Sequence, residues 1–336
     1  MNRFIVTKNI NAPTVAIQKY ASMNGWELVV VGDQKTPNDY EVDGTYLSPK
    51  DQNKLGFNVS RIIPWNCIQR RNLGFLYAIR EGADIIATVD DDNIPLENWG
   101  QKTKYIGDNT YVPMVLNGDL VVDPLYNTIH DSSVKLWHRG YPIQLLEQRK
   151  EQTLSMSSLV DSAVVSGLWN GEPDIDAIAR ISSGPQELYP TMVCTAFAVG
   201  GRVFSPYNTQ NTIFTREVAP CMALPPFVGR MDDIWASYLT ERVMFELGKT
   251  VVYTEPTVFQ RRNEHDATVD MMNELLGYRL SLKLLNELNR VKVESGSVLD
   301  MYRQVSDVLV YNLKLEQGRE LKEFFSAWIE DVKTCI

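Results

Sequence analysis

Cysteine is scarce in this chain of 336 residues: Cys67, Cys194, Cys221 and Cys335 are the full set. No two of them stand in a C-x-x-C pair, which argues against a thiolate zinc site or a redox dithiol. They read as reduced and mostly buried thiols of a reducing compartment. Histidine is scarcer still, with three residues, and neither H-E-x-x-H nor G-x-S-x-G occurs. Gly248-Lys249-Thr250 has the end of a phosphate-binding loop, but Val243 occupies the first glycine that loop requires. No apolar run approaches the roughly 20 residues of a spanning helix. Met1 to Thr7 lacks the apolar core and cleavage site of a signal peptide. A soluble cytoplasmic chain without a membrane segment is therefore expected. Positive charge is also short: 33 Lys and Arg face 42 Asp and Glu, a net charge of -9. Such a chain is a poor partner for nucleic acid. Gly 20, Pro 16 and a 44% hydrophobic content are ordinary and exclude collagen and low-complexity disorder. No internal repeat is visible.

What is present is a rhythm. Phe4-Ile5-Val6 reads as a strand, and Pro13 opens a helical stretch that stops near Asn24-Gly25. Leu28 to Val31 is a continuous apolar run, the pattern of a strand buried on both faces. Leu73, Leu76, Tyr77 and Ile79 load a helix that ends at Gly82, and Ile85 to Val89 is a second buried strand. Strand and helix alternate, so the fold class is α/β, with a parallel sheet and helices on both faces as the natural reading. Residues 100 to 230 read as short strands and long loops. From Asp270 the chain turns helical, with Leu276, Leu280, Leu284 and Leu288 in one stripe and Leu321, Phe324, Phe325, Trp328 and Ile329 in another. The expected division is a catalytic domain over 1–268 and a helical C-terminal extension over 269–336. The helical tail is also a candidate interface for a homo-oligomer.

Ligands of such sheets sit at the carboxyl ends of the strands, and two of those ends are acidic. Asp33 follows one. Asp90, Asp91 and Asp92 follow the other, with Asp90 and Asp92 on one side if the strand continues. Adjacent carboxylates repel, and a divalent cation relieves them while leaving positions for phosphate and water. Asp232-Asp233 precedes Ile-Trp-Ala-Ser-Tyr, a helix start that suits acid. A carboxylate there can take the proton of an acceptor hydroxyl. Either residue of the pair fits that part. Trp169, Glu172, Asp174 and Asp176 combine an aromatic face with carboxylates, and Asn208 and Gln210 add amides, a set suited to a polyhydroxyl ligand.

Arg70-Arg71-Asn72-Leu73-Gly74, Ala78 and Gly82-Ala83, leading into Asp90-Asp91-Asp92, resembles the GT-A nucleotide-sugar glycosyltransferases. Gly25-Trp26, Gly32-Asp33-Gln34-Lys35, Pro64-Trp65-Asn66, Phe204 to Thr212 and Gln260 to His265 are similar to the STELLO-type glycosyltransferase domain over about residues 1 to 280. A second resemblance, to reversibly glycosylated polypeptides (the UDP-arabinopyranose mutases), rests on Ser166 to Trp169, Pro173 to Ala177 and Gly229 to Ala236. The glycosylated arginine of that second family is left unplaced: Arg139, Arg149 and Arg180 lie in its region, and none has its surrounding motif. The resemblance implies a GT-A (Rossmann-like) fold with a mixed sheet, in which Asp90, Asp92 and a late histidine, His265, hold Mn2+ or Mg2+. It implies that Thr7, Asp33, Lys35, Arg71, Asp90, Asp91 and Arg230 contact the nucleotide sugar. It implies a base at Asp233 or Asp232. The neighbours of His265, Arg261, Arg262 and Asn263, are suited to a diphosphate. His130 and His138 are left as structural.

The expected function is metal-dependent transfer of a sugar from a UDP-sugar to an unspecified hydroxyl acceptor. Two other readings stand beside it. A UDP-sugar pyranose/furanose mutase would use the same donor site with no acceptor, and a non-catalytic scaffold would bind the sugar nucleotide only.

Overall fold

The apolar runs at 28–31 and 85–89 become the interior strands β2 and β4 of the sheet. The computed structural model describes residues 1–126, 128, 136–172, 174–184, 187–262 and 266–336. Among them are ten strands: β1 (Arg3–Lys8), β2 (Glu27–Val31), β3 (Thr45–Leu47), β4 (Ile85–Val89), β5 (Asn93–Pro95), β6 (Gly107–Asn117), β7 (Thr153–Gly171), β8 (Ala196–Val199), β9 (Asn211–Thr215) and β10 (Thr250–Gln260). The helices are α1 (Val15–Ala21), α2 (Pro49–Lys54), α3 (Arg71–Arg80), α4 (Ala177–Ser183), α5 (Asp232–Leu247), α6 (Ala267–Arg290), α7 (Val298–Asp307) and α8 (Gly318–Lys333). The sheet order is β3-β2-β1-β4-β9-β7-β6-β8-β10-β5, with β7 also paired to β10. The fold is α/β, a mixed sheet flanked by helices in the manner of GT-A enzymes.

The four strands β3, β2, β1 and β4 are parallel, so their carboxyl ends lie together. β9 runs antiparallel to β4 and returns the chain to that same edge, with Asn211 opposite Val89. Helix α3 lies tightly on β1 and β2. A Cβ on Gly74 would meet Val6 at 2.5 Å and Val31 at 2.8 Å, so only glycine lets the helix come this close. That approach seats Arg71, at the start of α3, under the end of β4.

Residues 100 to 230 depart from expectation. Beside the short strands expected there, β8 and β9, they contain β6 and the long β7, whose first half pairs antiparallel with β6. That hairpin leaves Tyr111, Met156 and Leu159 exposed, so it carries no continuous apolar run to announce it.

The C-terminal helices share the core of the α/β body. The whole second stripe, Leu321, Phe324, Phe325, Trp328 and Ile329, is buried within this chain, which leaves none of it for an oligomer interface. The Trp328 indole donates to the Pro220 carbonyl at 2.7 Å, and the Asp331 carboxylate accepts from the Asn58 and Val59 amides at 2.8 and 2.9 Å. In α6 the leucine stripe is only half of the story. Leu284 and Leu288 are buried, but the first turns bury Asp270 and Glu274 instead. Among the described residues no helix is long and apolar enough to cross a membrane. All four cysteines are free thiols, Cys221 and Cys335 buried and the other two partly exposed.

Candidate active site

The acid triplet does not continue its strand. β4 ends at Val89, and Asp90 to Asp92 form a turn, so strand alternation does not set their directions. Four hydrogen bonds shape the turn. Thr14 Oγ1 donates to the Asp91 carbonyl at 2.5 Å, and the Asn93 amide to the Asp90 carbonyl at 3.3 Å. The Asp90 amide and the Asn93 side chain both donate to the Gln210 carbonyl, at 3.2 and 3.1 Å. The result still places Asp90 and Asp92, and not Asp91, on one cavity of about 240 Å³.

Charge in this turn is poorly balanced. Arg71 Nη2 meets Asp90 Oδ1 at 2.6 Å, and the rest of the guanidinium is held by the Thr209 carbonyl and Thr88 Oγ1. Burial, and then the charge of Asp90, push Asp91 up to about 6. Burial, followed by Asp90 and Asp91, pushes Asp92 up to about 7. Asp92 Oδ1 is buried and accepts no hydrogen bond.

The opposite wall is built by the start of α5 and the residues that converge on it. Asp233 accepts two parallel bonds from Arg139, Nη1 to Oδ1 and Nη2 to Oδ2, both at 3.0 Å. The Ile234 amide and the Thr209 amide and hydroxyl fill what remains of that carboxylate. Arg139 also reaches Asp174 Oδ2, from Nε at 2.8 Å and Nη2 at 2.7 Å, and donates to the Arg230 carbonyl. Asp174 takes two more guanidiniums on Oδ1, Arg230 at 3.3 Å and Arg262 at 3.4 Å. Burial alone would raise the Asp174 carboxyl, but Arg139, Arg262 and Arg230 hold it far below the usual range. Arg230 is braced from α6 by Asp270 at 3.2 Å and Glu274 at 3.1 Å. Gly229, with φ +64°, is closely approached by the Asn273 carbonyl, so a side chain there would push α6 off this wall. Asp232 is different from its neighbour: Gln69 Nε2 donates to its Oδ2 at 2.8 Å. Burial, then the charge of Asp233, push Asp232 up to about 7.

The structure thus brings Asp90, Asp92, Asp174, Gln210, Arg230, Asp232 and Asp233 onto one cavity. It places other expected contacts elsewhere. Arg71 is buried and committed to Asp90, so it supports the acid turn rather than facing phosphate. Asp33 is closed off: Oδ1 accepts from the Gln34 and Asn66 amides at 2.8 Å, and Oδ2 faces Lys8 at 3.1 Å. It ties two loops together and offers no edge to a nucleotide as it stands. Thr7 is fully buried, while Lys35 is exposed and off the cavity. Trp169 is buried beneath the site, edge-on to His138 at 5.7 Å, so it belongs to the core rather than to a sugar surface. Glu172 accepts the Arg262 amide at 2.9 Å, and Asp176 caps α4 through Ile178 N. Asn208 spans Asp174 and Gln210 from behind. His265 and His130 lie outside the described residues. Arg139 is the residue whose role the sequence hid, because its partners are 35 and 94 positions away. Gln69 carries no sequence signal either, and Gln260, which lines the cavity, is marked only as the start of the Gln260 to His265 resemblance.

Among the described residues no three His, Cys, Asp or Glu side chains converge as a metal-holding group. The donor chemistry of the turn nonetheless fits a hard divalent cation. Asp90 and Asp92 offer carboxylate oxygens, Asp92 Oδ1 is buried and unpartnered, and the turn is short of positive charge.

No family model matches the chain. Two curated proteins of Arabidopsis thaliana are similar to it, "Probable glycosyltransferase STELLO2" at 24% identity over 272 residues and "Probable glycosyltransferase STELLO1" at 25% over 271. Each match takes in 76% of this chain and 35% of the relative, so the chain spans about a third of the length of the relatives it matches.

Proposed function

We propose that this chain is a metal-dependent glycosyltransferase that moves a sugar from a nucleoside diphosphate, UDP in particular, to a hydroxyl acceptor. One observation carries the reading: a single cavity has an under-compensated acid turn on one wall and a second acid pair, Asp232-Asp233, on the other. The similarity to proteins described as probable glycosyltransferases supports the same class. Asp90 and Asp92 are the residues that would hold Mn2+ or Mg2+. Such a cation, when bound, supplies positive charge for the diphosphate leaving group.

The chain's own residues do the rest. Arg71 fixes the Asp90 carboxylate from below, so the turn keeps one shape. Arg230 and Arg262 line the cavity and suit phosphate oxygens, Arg230 only by exchanging one of its carboxylate partners Asp174, Asp270 and Glu274. Gln210 and Thr209 present polar groups for sugar hydroxyls. A carboxylate at the start of α5 accepts the proton of the attacking hydroxyl.

The test is incubation of the purified protein with Mn2+ and a panel of UDP-sugars without acceptor, followed by chromatography and NMR. Slow release of UDP and free sugar, lost in Asp92→Ala, is the expected result. A new UDP-sugar isomer would replace the transferase with a mutase. Binding of UDP with no conversion of any sugar would leave a scaffold.

A further inference from the structure

We propose that Asp232 takes the proton of the acceptor, that Gln69 aims it, and that Asp233 is the anchor of Arg139 and not a base. The proposal rests on the transferase reading, and it settles a choice that sequence left open between two adjacent acids.

The argument is one of vacancy for a proton. Both oxygens of Asp233 are committed, to the two guanidinium nitrogens of Arg139 at 3.0 Å and to Thr209 and Ile234. Protonating that carboxylate would break a paired, buried clasp that also holds Asp174. Asp232 has no such clasp. A neutral amide, Gln69, reaches one of its oxygens at 2.8 Å, and the carboxylate lines the cavity. The Asp233 backbone amide also acts on this carboxylate, so it is met by neutral N–H groups, which fix its plane without clasping it in an ion pair. Gln69 arrives from the turn that precedes α3, so the helix that supports the acid turn through Arg71 also aims the base on the opposite wall. The charged groups acting on Asp232 are Asp233, Arg139 and Arg230. Burial and Asp233 outweigh the two arginines and leave it at about 7, where a base is useful at neutral pH.

The step balances in the following way. The acceptor oxygen forms a bond to the anomeric carbon as the bond from that carbon to the diphosphate oxygen breaks. The electron pair of that bond leaves on the diphosphate. The acceptor O–H bond breaks, and its proton ends on the Asp232 carboxylate.

The experiment follows UDP release from UDP-glucose, UDP-galactose, UDP-xylose and UDP-arabinopyranose with Mn2+, water serving as acceptor. It covers about pH 5 to about pH 9, a span on either side of a base poised for neutral pH. Wild type should gain rate with rising pH through a limb near 7, because the base must be ionised. Asp232→Asn should lose about 10²–10⁴-fold and the limb with it. Asp233→Asn should be slower yet keep the limb, moved to lower pH because a neighbouring negative charge is gone. Gln69→Leu should keep it too, moved to higher pH because the ionised form loses a donor. A limb that survives Asp232→Asn and disappears in Asp233→Asn overturns the assignment.

Carbon-13 NMR of aspartate-labelled protein supplies a readout that needs no turnover. Asp92 and Asp176 also titrate near 7, so the Asp232 signal is the one of this group that is missing from Asp232→Asn, present in Asp233→Asn and shifted upward in Gln69→Leu. Absence of that signal from wild type also overturns the assignment. If wild type turns over none of the four sugars, the transferase reading falls on its own, and the NMR titration still identifies which acid is poised.

Discussion

The two acidic walls of the cavity are opposites in how their charge is met. In the turn after β4, Arg71 pairs with Asp90, while burial and acidic neighbours raise Asp91 and Asp92 by more than Lys8 and Arg262 lower them. Asp92 keeps an oxygen with no partner. On the α5 wall, Asp174 and Asp233 are clasped by Arg139, and Asp174 has two further arginines. The second wall has its carboxylates paired as it stands; the first does not, and the proposed cation would complete it. Charge that a protein leaves unbalanced in a cavity marks where ligand charge is to enter, and charge that it balances fully marks scaffold. Asp232 is the exception on the complete wall, with no guanidinium clasp of its own, which is why the base is proposed there.

Breaking the complete wall should have the largest effect. Arg139→Met leaves Asp174 and Asp233 buried with their main partner gone, and should cost about 3–5 kcal/mol of stability. Urea denaturation measures it, and a loss below about 1 kcal/mol, the scale of an exposed pair, would show that the clasp is not what holds this wall. Asp92→Asn should do the reverse. It removes one repelling carboxylate from the open wall, so unfolding at neutral pH without added metal should come no earlier than in wild type. Sugar-donor turnover should nonetheless fall by about 10²–10³-fold, the usual range for loss of a transition-state charge partner. The contrast sharpens with ligand: Mn2+ plus UDP should raise the wild-type Tm and leave that of Asp92→Asn where it was.

The sequence made the open wall legible and hid the complete one, for a physical reason. A buried parallel strand is a contiguous apolar run, and an acid triplet at its end is contiguous too, so both can be read from neighbouring letters. Leu28 to Val31 and Ile85 to Val89 lie where their pattern puts them, in β2 and β4. The clasp is a matter of distant partners: Arg139 meets Asp174 and Asp233 only because β7, α5 and the 138–140 segment come together in space. Trp169 and Asp33 show the converse. Their residue types suit a sugar face and a ribose contact, but the fold packs the first into the core and closes the second with Lys8 and two amides. Asp270 and Glu274 were masked by a leucine stripe that begins one turn further along the same helix.

A smaller effect is expected where a carboxylate is balanced by amides alone. Asp331, buried on α8, accepts from the Asn58 and Val59 amides and the Asn58 side chain. Asp331→Ala leaves the Val59 amide without that partner and should cost about 1–3 kcal/mol, seen as an earlier urea midpoint. A loss as large as that of Arg139→Met would blur the distinction between amide and guanidinium compensation.

Asp176 stands between the two extremes and should give the smallest effect, one that appears only as a slope. It caps α4 through Ile178 N at 2.9 Å and takes the Tyr278 hydroxyl at 3.3 Å, but Arg230 is spent on Glu274 next to it. Burial, and then the charge of Glu274, raise the Asp176 carboxyl from 3.8 to about 7. A carboxyl that binds its proton more tightly in the folded state favours folding while it stays protonated. Its contribution is present at low pH and is lost as pH climbs from the ordinary value toward about 7. Asparagine can cap the helix equally well and cannot ionise. Asp176→Asn should therefore keep α4 and flatten the fall of unfolding free energy across that interval, while Asp232 and the acid turn maintain the remainder of the slope. An unchanged slope would mean that Tyr278 and the cap already balance Asp176, and would move it to the side of the complete wall.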